Sequence, residues 1–363
     1  MTKIFTSACL LISILISEPS RAQKNPKPVK NVIIMIGDGM GVAQVYAGLT
    51  ANKGHLNIER CTAVGFHKNQ ASDKYVTDSA AGATALACGQ KTYNGAIGVD
   101  PEQQSLPTIL EIAEKNGRST GLVATCSITH ATPASFIAHE PSRSMDEAIA
   151  ADFLKTDIDL FIGGGRKFFT KRADGLNLVD SLKARKYNIA NTISEVQNAK
   201  EGKLAAFLAE EQQAKFSDGR ADELVKSTEV ALNILQQNKK GMFLMIEGSQ
   251  IDWGGHANDT QYIIDEMIDF DNAIGKVLDF AQKDGNTLVI ITADHETGGF
   301  SINDGNMTTG WVDGKFTTGG HTGVMIPVFA FGPGSEKFSG IYDNTAIFHK
   351  MLDVYGFKTT GVK

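Results

Sequence analysis

A chain of 363 residues with 42% hydrophobic and 21% charged residues has ordinary globular composition, which excludes wholesale disorder. At roughly 100–200 residues per domain it accommodates two domains or one large α/β domain, and it is long enough to bury a core without staples. The net charge of −6 leaves no basic footprint for nucleic acid or an acidic membrane, and 37 glycines against nine prolines point to many tight turns.

Lys3 gives the N-terminus a positive charge, and residues 8–16 are apolar except for Ser13. That run is shorter than the roughly 20 residues that span a bilayer. Ser20-Arg21-Ala22 offers a small-x-small cleavage site, so residues 1–22 read as a secretory signal and 23–30 as an exposed leader. Cys9 precedes most of the apolar run, where a lipoprotein cysteine would follow it. The expectation is a periplasmic or secreted protein with no transmembrane segment in its mature chain. Export favours disulfides, yet Cys61, Cys88 and Cys126 are odd in number, so at least one is free or pairs between chains. No Cys-x-x-Cys occurs, and the three read as small buried hydrophobes rather than zinc thiolates or catalytic groups.

From residue 31 onward, short apolar runs alternate with amphipathic stretches. The spacing predicts strands at 32–36, 119–124, 158–162, 242–246, 288–292 and 325–331, and helices at 106–115, 224–236, 259–279 and 344–355. This rhythm predicts an α/β three-layer sandwich over residues 31–363, a central and mostly parallel sheet with helices on both faces. Residues 168–218 are more polar and read as a small lobe or helical excursion beside the sheet. Residues 297–319, rich in Gly, Thr and Asn, read as a loop insertion.

In such sheets, sites form at the carboxyl ends of strands. Asp38 follows the first strand; Glu247, Asp252 and His256 follow 242–246; Asp294 and His295 follow 288–292; His321 precedes 325–331. Oxygen and nitrogen donors without thiolates suit catalytic zinc or harder divalent cations. Singly, an Asp after a strand is more often a helix cap and an Asp-His pair a turn. Together, several carboxylates at one sheet edge need cations to be tolerable. Gly37-Asp38-Gly39-Met40-Gly41 is no dinucleotide fingerprint, because Val42 stands where the third glycine is required. Its glycines instead suit close backbone approach. Asp252 and His256 face one way if their segment is helical; Gly254-Gly255 makes a loop equally consistent.

The alanine-rich run 77–85 predicts a helix capped by Thr77 or Asp78, with Ser79 in the first turn. Free N–H groups and the helix dipole favour an anion there, which makes Ser79 a candidate nucleophile toward an anionic target. No Gly-x-Ser-x-Gly surrounds it. Pro133 is expected to hold Thr132 out of helix geometry on a loop, and Arg143 is a candidate phosphate clamp.

Taken together, these segments resemble the alkaline phosphatase family over residues 31 to about 334. The motifs are Gly-Asp-Gly-Met-Gly (37–41), Thr-Asp-Ser-Ala-Ala-Gly-Ala-Thr-Ala (77–85), His-Ala-Thr-Pro (130–133), Glu-Gly-Ser-Gln-Ile-Asp-Trp-Gly-Gly-His (247–256), Thr-Ala-Asp-His-Glu (292–296) and Gly-Gly-His-Thr-Gly (319–323). The resemblance implies two Zn2+ and one Mg2+ per chain. Asp252, His256 and His321 match the ligands of the first zinc, and Asp38, Asp294 and His295 those of the second, which Ser79 approaches. Thr132 and Glu247 match the magnesium position, with Asp38 bridging to it. Arg143, thirteen residues after His130, matches the phosphate-binding arginine. The implied reaction is hydrolysis of phosphate monoesters, of broad specificity, through a phosphoserine at Ser79.

The best-known bacterial pattern has Asp and Lys where this chain has His130 and Trp253; other family members carry His and Trp. A nitrogen donor favours zinc or cobalt at the third position, so His130 is either a direct ligand or a group behind the ligands. Trp253 and Asp78 are assigned to the substrate pocket. His55, His67, His139 and His349 read as structural or surface residues. A phosphodiesterase or nucleotide pyrophosphatase usually carries a threonine nucleophile, and Arg143 favours a dianionic monoester. The sulfatase pattern Cys/Ser-x-Pro-x-Arg is missing, and the full set of groups argues against a binding protein without turnover. Small phosphomonoesters are the expected partners; a homodimer is left open.

Overall fold

The structure is a computed structural model that describes Met1 and residues 28–357, so the expected secretory signal beyond Met1 lies outside the described residues. In chain order the strands are β1 (Asn31–Gly37), β2 (Ala63–Lys68), β3 (Ser119–Ser127), β4 (Leu160–Gly164), β5 (Tyr187–Ala190), β6 (Lys203–Phe207), β7 (Met242–Gly248), β8 (Thr287–Thr292), β9 (Glu296–Thr297), β10 (Ser301–Asn306), β11 (Trp311–Lys315), β12 (His321–Thr322), β13 (Ile326–Phe331) and β14 (Gly340–Asp343). Ten of them form one sheet in the order β14-β2-β13-β8-β1-β7-β3-β4-β6-β5. All run parallel except β13, which is antiparallel to both β2 and β8.

The core explains why the strands read as continuous apolar runs. Along β1, Val32, Ile34 and Ile36 pack into one layer, while Ile33 and Met35 pack into the other. A strand covered on both faces has no polar side. The first layer is closed by α2 (Ser79–Cys88) and the helices Ile109–Lys115 and Thr345–Tyr355, the second by α1 (Val42–Ala51) and the helices Glu223–Leu235 and Thr260–Asp284. The long helix starts where the Asp259 side chain accepts from the N–H groups of Gln261 and Tyr262, and it ends at Gly285 in the left-handed conformation. It therefore runs five residues beyond the expected 279.

Three expectations need correction. Residues 168–218 are no lobe beside the sheet: β5 and β6 extend its edge, pairing in parallel with each other and with β4. Their signal is weak because they are short and β5 is half exposed. Residues 297–319 are not a bare loop, since β10 and β11 pair as an antiparallel ribbon resting against α1 and the long helix. Val29, at the end of the expected exposed leader, is buried, and its N–H donates to Val354 O. Cys61, Cys88 and Cys126 are all free. Among the described residues, no helix is long and apolar enough to cross a membrane.

Register is what assembles a site. Ile36 stands opposite Glu247 on β7 and Thr292 on β8, and Gly37 opposite Gly248. The three central strands thus end at one level, and the residues that follow them converge. Beneath β7, Arg220 is fully buried with its Nη2 at 2.5 Å from Glu266 and 2.8 Å from Asp269, both on the long helix. Arg220→Ala leaves two buried carboxylates facing each other. It is expected to destabilise the fold by about 3–5 kcal/mol, read from the midpoint of urea unfolding.

Candidate active site

The convergent edge carries three groups of donor atoms, each within 4.8 Å: Asp252, His256 and His321; Asp38, Asp294 and His295; and Cys126, His130 and Glu247. The residues expected from the sequence are brought together, and Cys126 joins them unannounced.

The first group is built on the short helix Ile251–His256, which resolves the open alternative in favour of helix and puts positions 252 and 256 on one face. Asp252 Oδ2 lies 3.3 Å from His256 Nε2, and Asp252 Oδ1 lies 3.6 Å from His321 Nε2. The two imidazoles meet Nε2 to Nε2 at 3.2 Å. Backbone carbonyls set this orientation: His256 Nδ1 is 2.7 Å from Gly319 O, and His321 Nδ1 is 2.9 Å from Thr77 O. A carbonyl only accepts, so each Nδ1 carries a proton and each Nε2 is the atom turned inward, the orientation a metal ligand needs.

In the second group, Asp38 follows β1 and its N–H donates to Gly248 O. His295 Nε2 lies 3.4 Å from Asp38 Oδ1, 3.3 Å from Asp294 Oδ2 and 3.2 Å from Ser79 Oγ. Thr297 Oγ1 donates to Asp252 Oδ1 and lies 3.2 Å from His295 Nδ1, coupling the first two groups. Close approach is real at two glycines. A Cβ on Gly39, whose φ is +73°, would meet the Asp252 Cα at 2.7 Å, and one on Gly255 would meet Thr297 O at 2.8 Å. Gly319 and Gly320 have no such crowding.

Ser79 is the first residue of α2, and Asp78 is the cap, its side chain accepting from Ala81 N. Arg143 Nη1 donates to Asp78 Oδ2 at 3.1 Å, and its Nη2 to His130 Nε2 at 3.1 Å. Two of its five donors are spent, leaving others for an anion. The His130 ring stands edge-on to half-buried Trp253, with centroids 6.3 Å apart. Thr132 is not on a loop: it lies in the one-turn helix Ala131–Ala134. Pro133 is tolerated there because first-turn N–H groups have no intrahelical partner to lose.

Several buried polar atoms in this region have no hydrogen-bond partner: both Asp38 oxygens, Asp294 Oδ2, Glu247 Oε1 and Thr132 Oγ1. Such atoms are costly unless a cation takes the missing place. Burial, then the charges of Asp294, Asp252 and Glu247, push Asp38 well above the usual carboxylate range. Burial lifts Glu247 to about 7, and burial with the Asp252 charge lifts Asp294 to about 6. Burial also opposes ionisation of Asp252, but the His256 hydrogen bond and the surrounding imidazoles hold it below the usual range. The Asp252 hydrogen bond in turn raises His256 to about 9. Burial keeps His295 neutral. The donor set and its unpartnered atoms fit divalent cations.

Sequence reasoning missed two members. Thr297 sits two residues past His295, close enough to the motif to have been considered. Cys126 had no spacing to betray it; its Sγ lies 3.3 Å from Glu247 Oε2.

The family model for alkaline phosphatase matches residues 29–315. Alkaline phosphatase 3 of Bacillus subtilis (strain 168) is 36% identical over 91% of this chain and 90% of its own length. The alkaline phosphatase of Escherichia coli (strain K12) is 31% identical over 93% and 88%. Among solved structures, the alkaline phosphatase of the Antarctic bacterium TAB5 is 45% identical with a TM-score of 0.86, covering 92% of this chain and 100% of that one. A histidine-to-aspartate variant of the TAB5 enzyme has Mg bound in its M3 site, at a TM-score of 0.86 and 44% identity over the same shares. These matches span nearly the whole fold and the sheet edge where the donors converge, and by them the chain belongs to the alkaline phosphatase family, as a metal-dependent hydrolase of phosphate monoesters.

Proposed function

We propose that Ser79 is the nucleophile of this hydrolase and that the three donor groups hold its cations. The carrying observation is Ser79 Oγ at the N-terminus of α2, 3.2 Å from His295 Nε2 within the Asp38–Asp294–His295 group. Asp252, His256 and His321 would hold one zinc, and Asp38, Asp294 and His295 the second. Thr132, Glu247 and Asp38 would hold a third cation. Bound cations supply Lewis acidity, favouring the ionised serine and offsetting charge on the entering and leaving oxygens.

The rest is work for the chain's own residues. Ser79 loses its proton to solvent as Oγ attacks phosphorus in line and the bond to the leaving oxygen breaks; that oxygen takes a proton from solvent, and water then cleaves the phosphoserine, returning a proton to Ser79 and releasing inorganic phosphate. Arg143 binds non-bridging oxygens with the donors that Asp78 and His130 leave free, while those two partners hold its plane. The N–H groups opening α2 add a favourable dipole end for the dianion. His130 acts behind the ligands: a neutral imidazole accepting from Arg143 at Nε2 carries its proton at Nδ1 and has no lone pair left for a cation. Trp253 packs against that ring. The grip is on phosphate rather than on the leaving group, which supports broad specificity. The N-terminal signal pattern supports a periplasmic or secreted location for a single catalytic domain.

Ser79→Ala is expected to abolish both the burst of alcohol release and turnover, a loss of at least a thousandfold on the order expected for a nucleophile. A retained burst overturns the assignment. Arg143→Ala should lower kcat/KM for p-nitrophenyl phosphate about a hundredfold, and the diester bis-p-nitrophenyl phosphate should be turned over far more slowly than the monoester by the wild type. Chelation with EDTA should remove activity, and zinc with magnesium should restore it.

The same carboxylates and imidazoles set a pH dependence for the metal-free chain. His256, raised to about 9, and Glu247, raised to about 7, bind protons more tightly folded than unfolded. Their stabilisation is complete below the ordinary values and is lost as pH rises through the folded ones. After EDTA treatment, Tm should therefore fall between about pH 6.5 and 9, where the buried neutral histidines no longer titrate. Zinc should flatten or reverse that slope, because a cation replaces the protons; equal slopes with and without zinc would contradict the placement.

A further inference from the structure

The third donor group contains a sulfur. Cys126 is one residue from the end of β3, fully buried, with Sγ at 3.3 Å from Glu247 Oε2 and 3.2 Å from Ser127 O. Independently of the thiol, Glu247 Oε1, Thr132 Oγ1 and both Asp38 oxygens are buried and unpartnered. Cys126 and Glu247 share one group of donor atoms within 4.8 Å, and Asp38 lies close enough for its charge to act on the thiol.

Two features place the sulfur among the candidate ligands. The first is elimination within the group. His130 spends its Nε2 lone pair on Arg143, so the nitrogen that the sequence suggested for this position is engaged elsewhere. The second is geometry. With metal–sulfur bonds near 2.3 Å and metal–oxygen bonds of 2.0–2.2 Å, sulfur and oxygen on one ion stand about 3.1–3.6 Å apart at right-angled to tetrahedral settings. The observed separation of 3.3 Å falls within that range.

We propose that Cys126 is a direct sulfur ligand of the third cation, beside Glu247, Thr132 and Asp38, and that it makes this position select zinc or cobalt over magnesium. Thiolate is a soft donor that magnesium disfavours, whereas an all-oxygen set with the same charge suits it. On binding, the metal–sulfur bond forms as the Sγ proton leaves to solvent. The proposal rests on the reading of Glu247 and Thr132 as cation ligands.

The test is a cobalt(II) titration of the full-length metal-free protein, followed by absorption and by metal content. The wild type is expected to bind three equivalents, and a near-ultraviolet sulfur-to-cobalt charge-transfer band should appear with only one of them. Cys126→Ser and Cys126→Ala should lose that band while keeping the visible cobalt bands of the other two positions. In competition dialysis, Cys126→Ser should shift the third position toward magnesium by tenfold or more, on the scale seen when groups around a metal are altered. Three bound equivalents without a sulfur band, or a band that persists in Cys126→Ser, overturn the proposal alone. Two bound equivalents overturn the reading of Glu247 and Thr132 and this proposal with it. The wild-type titration decides by itself, so a variant that fails to fold does not matter.

Discussion

Four carboxylates, Asp38, Glu247, Asp252 and Asp294, are buried within one sheet edge, and the rest of the molecule is arranged around that fact. Burial alone raises the cost of each negative charge, and the charges of Asp294, Asp252 and Glu247 raise it further at Asp38. A fold that kept them there without cations would hold costly unpaired groups in its centre. The parallel register of β1, β7 and β8 is what makes the clustering unavoidable, because it ends three strands at one height. A sheet with one slipped strand would separate the charges and lose the site.

Orientation is fixed from outside the cluster. Gly319 O and Thr77 O turn His256 and His321 so that their free nitrogens face inward, and Thr297 links Asp252 to His295. The anion-binding side is organised separately. Asp78 caps α2 and, with the same side chain, holds Arg143, so the guanidinium is tied to the helix end that carries Ser79. His130 completes that clamp. His130 thus serves the arginine, while Cys126, four residues before it, touches Glu247, which is why its role could not be read from position alone.

Much of the fold was legible because the central strands are apolar on both sides and the helices carry their own caps. The Asp259 cap and Gly285 stop are local, so the long helix was recognisable, though its C-terminal turns were underestimated. The edges were not legible. β2, β5, β6 and β14 are short or half exposed, and their pairing depends on what lies beside them. Thr132 was misplaced for a related reason: the bias of a residue before proline was weighed without the first-turn context that overrides it.

The sequence by itself determined the family, the kinds of donor atom and the helix that Ser79 opens, because ligand identity, motif spacing and helix propensity are properties of a few adjacent residues. Only the tertiary structure decided which atoms meet. Ser79 and His295 are 216 residues apart, His321 and Thr77 are 244 apart, and Cys126 and Glu247 are 121 apart. Such contacts are set by register and packing across the sheet. Cys126 could look like one more small buried residue until β3 was laid beside β7.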